Sequence, residues 1–318
     1  MAEVRISDQA RYLGMIPNYN SLLAQVTKLQ QQVGTGHLLA NAQDDPVAVS
    51  ISEGDSTQEA RLTQDSRNVT QASGFVNATE QALSSAVGYV QQAGQLAISA
   101  ADPSLSNTDL QNLSKQVDGI LQNMVNLGAT QYDGRTLFSG SGTDKPAFQT
   151  TVVAGQITAV NAAPTSNTES LTTEITPGQT VAYNLVGSSA VAGVPGVFQD
   201  ATSGVDVFKD LIQLRDDIAS NNLGNVTADH QKLQGDFMNI TTAQQRLGGI
   251  QGHLQDATTT NGAYSNVLMN MVSSLTSTDV AKAATELTAT QTAYQGALAV
   301  GSKIGQLSLL NYLSSTVA

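Results

Sequence analysis

The chain has 318 residues, which allows roughly two domains of about 150 residues and ample length for a core. Charged residues make up only 13%, about half the usual ~25%, so the surface is built from neutral polar side chains. With 14 Lys and Arg against 26 Asp and Glu, the net charge is −12; a nucleic-acid partner, which needs clustered cations, is disfavoured. The absence of cysteine removes disulfides, thiolate metal sites and Cys nucleophiles. The opening residues lack the apolar stretch of a signal peptide, and no ~20-residue apolar run occurs, so no membrane partner is expected.

In chain order, the first element is an amphipathic helix. Tyr12, Met15, Tyr19, Leu22, Val26, Leu29 and Val33 recur by threes and fours. Next, Val76, Thr79, Leu83, Ala86, Val90, Ala93 and Ala97 keep a heptad frame until Asp102, Pro103 and Ser104 break it. Leu110, Leu113, Val117, Ile120, Met124 and Leu127 then fill six consecutive seam positions, a run with a chance of roughly 0.004 at this apolar content. Two antiparallel helices joined by a short loop follow, with Ser106 or Asn107 capping the second.

Four of the seven prolines fall between 146 and 195, and no Lys or Arg lies between Lys145 and Lys209. Within this stretch, Thr150–Val153 before Ala154-Gly155, and Thr180–Val186 before Gly187, read as short strands ended by turns. Residues 146–204 are therefore expected to form a β-rich insert, and its flanks one helical body.

From 196 onward the chain is free of proline. A heptad frame runs from Leu223 through Val226, His230, Leu233, Phe237, Ile240, Gln244, Leu247, Gln251 and Leu254 to Leu275, with six of its sixteen seam positions polar. Polar seam residues weaken such a helix but fix its register. Unbroken, about 50 residues span about 75 Å, which suggests a rod; Gly248-Gly249 is where it would bend or break, and the sequence leaves open whether it does. The last element carries a second terminal stripe: Val280, Ala284, Leu287, Tyr294, Leu298, Ile304, Leu307 and Leu310. A lone helix of this size is marginal in water, so the two terminal stripes should pair with one another and with neighbouring copies. With only Lys28 among residues 18–34, a lipid surface is a poor fit.

No catalytic constellation is present. His37, His230 and His253 have no zinc spacing, and Ser139-Gly140-Ser141-Gly142 is neither a nucleophile elbow nor a phosphate loop. Asp44-Asp45-Pro46 reads as a turn and helix start rather than a cation site. Asp133-Gly134-Arg135 reads as a turn, with Arg135 pairing with a nearby acid. Neither an enzyme, a cofactor nor a metal is expected.

These motifs together resemble the flagellin-like family, and within it the proteins of the hook–filament junction. Val4-Arg5-Ile6-Ser7, Leu29-Gln30, Val33–Gly36 and Ala42–Pro46 are similar to its N-terminal signature. Tyr132–Gly140 with Pro146-Ala147-Phe148 is similar to the segment that leaves the helical body, and Arg246–Gln251 to part of the long helix. The end, Ala297 to Leu313, looks more like the junction branch than the filament subunit. Gly34, His37 and Asn311 depart from the usual pattern.

The resemblance implies a mainly α fold: a long coiled-coil helical rod with discontinuous N- and C-terminal helices and a small β-rich insert. It divides the chain into a terminal assembly domain (1–45 with 277–318), a rod domain (46–145 with 205–276) and an outward-projecting insert (146–204). It further implies export as an unfolded chain through the flagellar type III apparatus, with an export chaperone, to an extracellular place in the flagellum. There the copies would self-associate into a ring between hook-associated protein 1 and flagellin. The alternatives are a filament subunit, or a surface adhesin using the insert.

Overall fold

The computed structural model describes residues 2–38, 45–164 and 166–316, and the side chains of 14–38, 45–164, 166–303 and 306. The chain forms two compact units: Met1–Ala60 with Ser265–Ala318, and Arg61–Tyr264. It is mainly α, with long helices and small sheets.

Apolar spacing sets the helices of the second unit. In α2 (Pro46–Ala100) every seam residue expected from Val76 to Ala97 is buried. A turn at 101–106 leads into α3 (Asn107–Gly128), whose N-cap is Ser106. The Ser106 hydroxyl accepts from the Asp109 amide at 3.2 Å and the Asp109 carboxylate reaches back to the Ser106 amide, a full capping box. On α3, Leu110, Val117, Ile120, Met124 and Leu127 are buried and Leu113 is half-buried.

The middle of the chain is a set of small sheets, antiparallel except where β7 runs parallel to β8. β1 (Gln131–Tyr132) and β2 (Arg135–Thr136) close on Asp133 and Gly134, both at positive φ (51° and 72°), the backbone a two-residue type I′ hairpin demands. β3 (Phe148–Val153) and β4 (Gln156–Ala162) form a second hairpin around Ala154-Gly155, and β5 (Thr172–Thr176) with β6 (Gln179–Ala182) a third. β7 (Ser188–Ser189), β8 (Gln199–Asp200) and β9 (Val205–Asp206) complete a three-stranded sheet. The strand expected over 180–186 stops at Ala182. Beyond it Asn184 turns its side chain into the backbone, accepting from the Leu171 amide at 2.8 Å, while Leu185 and Val186 are buried.

An aromatic core fastens these pieces to the helices. Phe198 meets Phe138 at 4.9 Å, Phe148 at 5.9 Å and Phe208 at 5.8 Å between ring centroids. The Phe138 and Phe148 rings meet Phe198 edge-to-face, a geometry that adds about 0.5–1.5 kcal/mol per pair beyond the buried area, while Phe208 is tilted against it. Arg135 stacks 5.7 Å from the Phe75 ring and donates to the Tyr183 hydroxyl at 3.2 Å. It thus meets a phenol and an aromatic face where an acid was expected. The β5–β6 hairpin is clasped by two amides, Asn68 of α2 donating to the Glu174 carbonyl and a helical Asn261 donating to the Ile175 carbonyl.

Helix α4 (Val207–Ala219), capped by Asp206, packs on α3. Helix α5 (Leu223–Thr276) then runs without interruption through Gly248-Gly249, which settles the point that the sequence left open. Leu247 and Leu254 are buried on its packed face while both glycines are exposed, so packing holds the helix where propensity is poor.

The register of α2 against α5 is antiparallel and marked by polar bridges, Gln244 to Glu80 at 3.3 Å and Gln251 to Asn77 at 2.7 Å. The seam itself differs from the expected one at alternate positions. Val226, Leu233, Ile240, Leu247, Leu254 and Asn261 are buried as expected. Between them Asp229, Asp236, Ala243 and Ala257 are buried, whereas His230, Phe237 and Gln244 are half-buried and Thr258 is exposed. A choice by hydropathy favours Phe237 over Asp236; the helix geometry selects Asp236.

Candidate functional site

In the first unit, α1 (Ala2–Thr35) pairs with α6 (Val280–Thr316). The pairing is antiparallel, since Tyr19 meets Ala297 while Gly36 meets Thr278. The segments that follow α1 and precede α6 are tied together. Leu38 donates its amide to the Thr276 carbonyl at 2.6 Å, Thr278 donates to Gly36 at 3.0 Å, and His37 bridges Ser277. The turn after α1 uses Gly36 at φ 73°, the left-handed conformation that glycine adopts freely. Helix α2 starts at Pro46 because Asp45 caps it, its Oδ1 accepting from Val47 and Ala48 at 3.1 and 3.0 Å. Ala42, Gln43 and Asp44 of the expected signature lie outside the described residues.

Of the expected interface residues, Val26 is buried and Met15, Tyr19, Leu22, Leu29 and Val33 are half-buried along α1. Leu287 and Tyr294 are half-buried on α6, and Leu298 is exposed. The side chains of Tyr12, Ile304, Leu307 and Leu310 lie outside the described ones. The covered face of α6 is Ala283, Ala284, Leu287, Thr290, Gln291, Tyr294, Ala297 and Gly301, recurring by threes and fours. Small residues carry half of it. Hydropathy alone points instead at Leu298, which faces outward.

Gly301 explains the choice of a small residue. The Tyr19 hydroxyl donates to the Ala297 carbonyl at 2.7 Å, and a Cβ on Gly301 would collide with that hydroxyl. Gly301→Val is expected to force the helices apart at this level, costing about 1–3 kcal/mol as an overpacked contact. Faster hydrogen exchange in α1 and α6, with α3 unchanged, is the readout; unaltered protection in both helices would reject the contact.

The balance of burial sets this unit apart. Among its described side chains three apolar ones are buried, Val26, Leu268 and Ala283, whereas eleven large ones are exposed. The exposed group includes Leu23 (47%), Val47 (69%), Val267 (53%), Leu298 (46%) and Val300 (53%). A unit with so little interior and so much apolar surface matches a surface that other molecules cover.

Chemistry is scarce elsewhere. Among the described residues no group of three or more His, Asp or Glu is placed to hold a metal ion, and no helix is long and apolar enough to cross a membrane. Thr136 and Ser139 are buried and spend their hydroxyls on the carbonyls of Thr143, Lys145 and Gly142, which shapes the turn after β2. His230 lies half-buried against Gly94 of α2, and His253 is exposed.

Two family models match in chain order: the bacterial flagellin N-terminal helical region over residues 6–143, and the bacterial flagellin C-terminal helical region over 231–313. The chain belongs to the flagellin-like family. The unmatched stretch, 144–230, holds β3 to β9 and α4. Flagellar hook-associated protein 3 of Salmonella typhimurium is 30% identical over 146 residues, 46% of this chain and 46% of that protein. The chain therefore matches less than half the length of that curated relative.

Two solved structures from Legionella pneumophila share the fold. One is flagellar hook associated protein-3, with TM-score 0.57 and 14% identity, covering 70% of this chain and 98% of the other. The other is the flagellar junction protein FlgL, with TM-score 0.53 and 14% identity, covering 71% of this chain and all of the other (100%). β3 to β9 and α4 thus lie between two matched helical regions.

Proposed function

We propose that this flagellin-like chain is a structural adaptor at the hook–filament junction of the bacterial flagellum, assembled through its terminal helices. The reading rests on one observation: among its described side chains, the unit that holds both chain ends exposes eleven large apolar ones and buries three apolar ones. Covering such surface is favourable by about 25 cal/mol per Å², a driving force that only neighbouring subunits would supply. The matched relatives are hook-associated and junction proteins, which favours the junction over the filament.

In this reading the division is threefold. Residues 1–45 with 277–318 make the assembly domain, 46–145 with 205–276 the supporting helices, and 146–204 the insert. Tyr12, Met15, Tyr19, Leu22, Val26, Leu29, Val33, Leu287, Tyr294, Leu298, Ile304, Leu307 and Leu310 line the assembly seam. Copies form a ring with hook-associated protein 1 on one side and flagellin on the other, after export as an unfolded chain guided by a chaperone. The role involves no catalysis.

A strain lacking the gene tests this. Bare hooks in the electron microscope and filament subunits shed into the medium are expected, with filaments restored by the wild-type chain. Leu23→Glu combined with Leu298→Glu, which places charge on the exposed face, should be made and secreted yet fail to restore them. Normal filaments in the deletion strain would reject the junction role, and full rescue by the double variant would reject the surface.

A further inference from the structure

We propose that the contact between α4 and α5 is a proton-dependent latch, in which Asp236 seats against α4 carrying its proton and the contact loosens when that proton leaves. Asp229 and Asp236 occupy the packed face of α5, one turn either side of Lys232 and Leu233, and each is only 1% exposed. Lys232 Nζ donates to Asp229 Oδ1 at 2.9 Å and to Gln213 Oε1 of α4 at 2.7 Å. That leaves Asp229 Oδ2 and Asp236 Oδ2 buried without a partner. A buried carboxylate oxygen with nothing to accept from strongly disfavours the charged form.

The neighbours deepen the imbalance. From α4 and its cap come Asp210, itself buried, Asp206, Asp217 and Lys209. Asp206 is engaged by Gln199 and by the Lys209 amide, and Asp217 by Asn222 and Asn225. On α2, Glu80 is occupied by Gln244, and on α3 Asp118 is occupied by Arg215. The lysines thus answer several acids, and Lys232, its own side chain 43% exposed, is the one bonded to a buried carboxylate.

The proton affinities follow that geometry. Burial, with Asp210 and Asp206 alongside, pushes Asp236 up to about 8 against the opposing pull of Lys232. Burial pushes Asp210 up to about 6. Burial also raises Asp229, again against Lys232. Each folded value lies above the unfolded one, so the folded state holds the extra protons. Their contribution is fully present below about pH 4 and is lost as pH rises, to about 6 for Asp210 and about 8 for Asp236. Asp102, Asp109 and Asp200 are shifted down and act only below the ordinary aspartate range, so they do not mask the effect.

The test uses the full chain. Urea unfolding followed by circular dichroism should give a folding constant that falls about tenfold per pH unit between pH 6 and 8, one proton's worth. Hydrogen exchange, corrected for intrinsic rate, should show α4 loosening over the same range. Asp236→Asn keeps the shape and stays neutral, so its folding constant should be flat from pH 6 to 8 and exceed that of the wild type at pH 8. A wild-type constant that is level or rises with pH, or an equal slope in the variant, overturns the latch. Should the variant not fold, the carboxyl carbon signals of aspartate-labelled wild-type chain decide: one titrating near pH 8 supports it, and all titrating below pH 5 refute it.

Discussion

Replacing Arg215 by alanine is expected to destabilise the second unit by about 3–5 kcal/mol, the range for breaking a buried ion pair from one side. The Arg215 side chain is 3% exposed. Its Nη1 donates to Asp118 Oδ1 of α3 at 3.0 Å and to the Ile157 carbonyl of β4 at 2.8 Å, and its Nε to Asp216 Oδ1 at 2.8 Å. One guanidinium thus joins α3, α4 and the β3–β4 hairpin. Alanine would leave Asp118 without its cation and the Ile157 carbonyl without that donor. Lysine keeps the charge but offers no fork, so it should recover only part of the loss. Arg215→Met with Asp118→Leu should recover most of it, because removing both partners leaves no orphaned charge. Urea midpoints at constant slope measure all three; a loss below 1 kcal/mol for the alanine variant would reject this role.

The sequence shows no trace of that cross-link, since Arg215 sits in a run of mixed charge, Arg215-Asp216-Asp217, that reads as a solvated face. What could be read was governed by short-range periodicity. The seam of α2 and α3 is made mostly of Val, Leu, Ile, Met and Ala, so hydropathy and helix geometry largely select the same positions, down to the Ser106 cap, with Thr79 and Ser114 buried polar exceptions. On α5 the two criteria diverge. Asp229 and Asp236 lie on the buried face, each only 1% exposed, where hydropathy would place an apolar residue. No single residue type announces a carboxyl group that is kept neutral by its surroundings. The terminal pair was legible as two stripes, yet Gly301 on its covered face carries no side chain to read and is explained only by the Tyr19 hydroxyl that lies against it while donating to the Ala297 carbonyl. In the insert, turn chemistry located the hairpin at Ala154-Gly155, where both residues have positive φ, while the end of β6 depended on Asn184 and a distant amide.

Filling the glycines of α5 should have a comparably large effect with the opposite sign. Gly235, Gly248, Gly249, Gly252 and Gly262 are all exposed, and a Cβ added at any of them would meet nothing within 4 Å outside its own helix. Each glycine costs up to about 1 kcal/mol relative to alanine in a helix interior, chiefly through backbone entropy. Replacing all five by alanine is therefore expected to stabilise the second unit by about 3–5 kcal/mol, the sites at 235 and 262 adding most independently. The helix already runs unbroken through these positions, held by Leu233, Ile240, Leu247 and Leu254, so the gain should appear as a higher urea midpoint with no change in helical signal. A rise in helical ellipticity on substitution would mean instead that α5 is frayed at Gly248-Gly249 in solution. No shift in midpoint would mean that its stability is set entirely by the packed face.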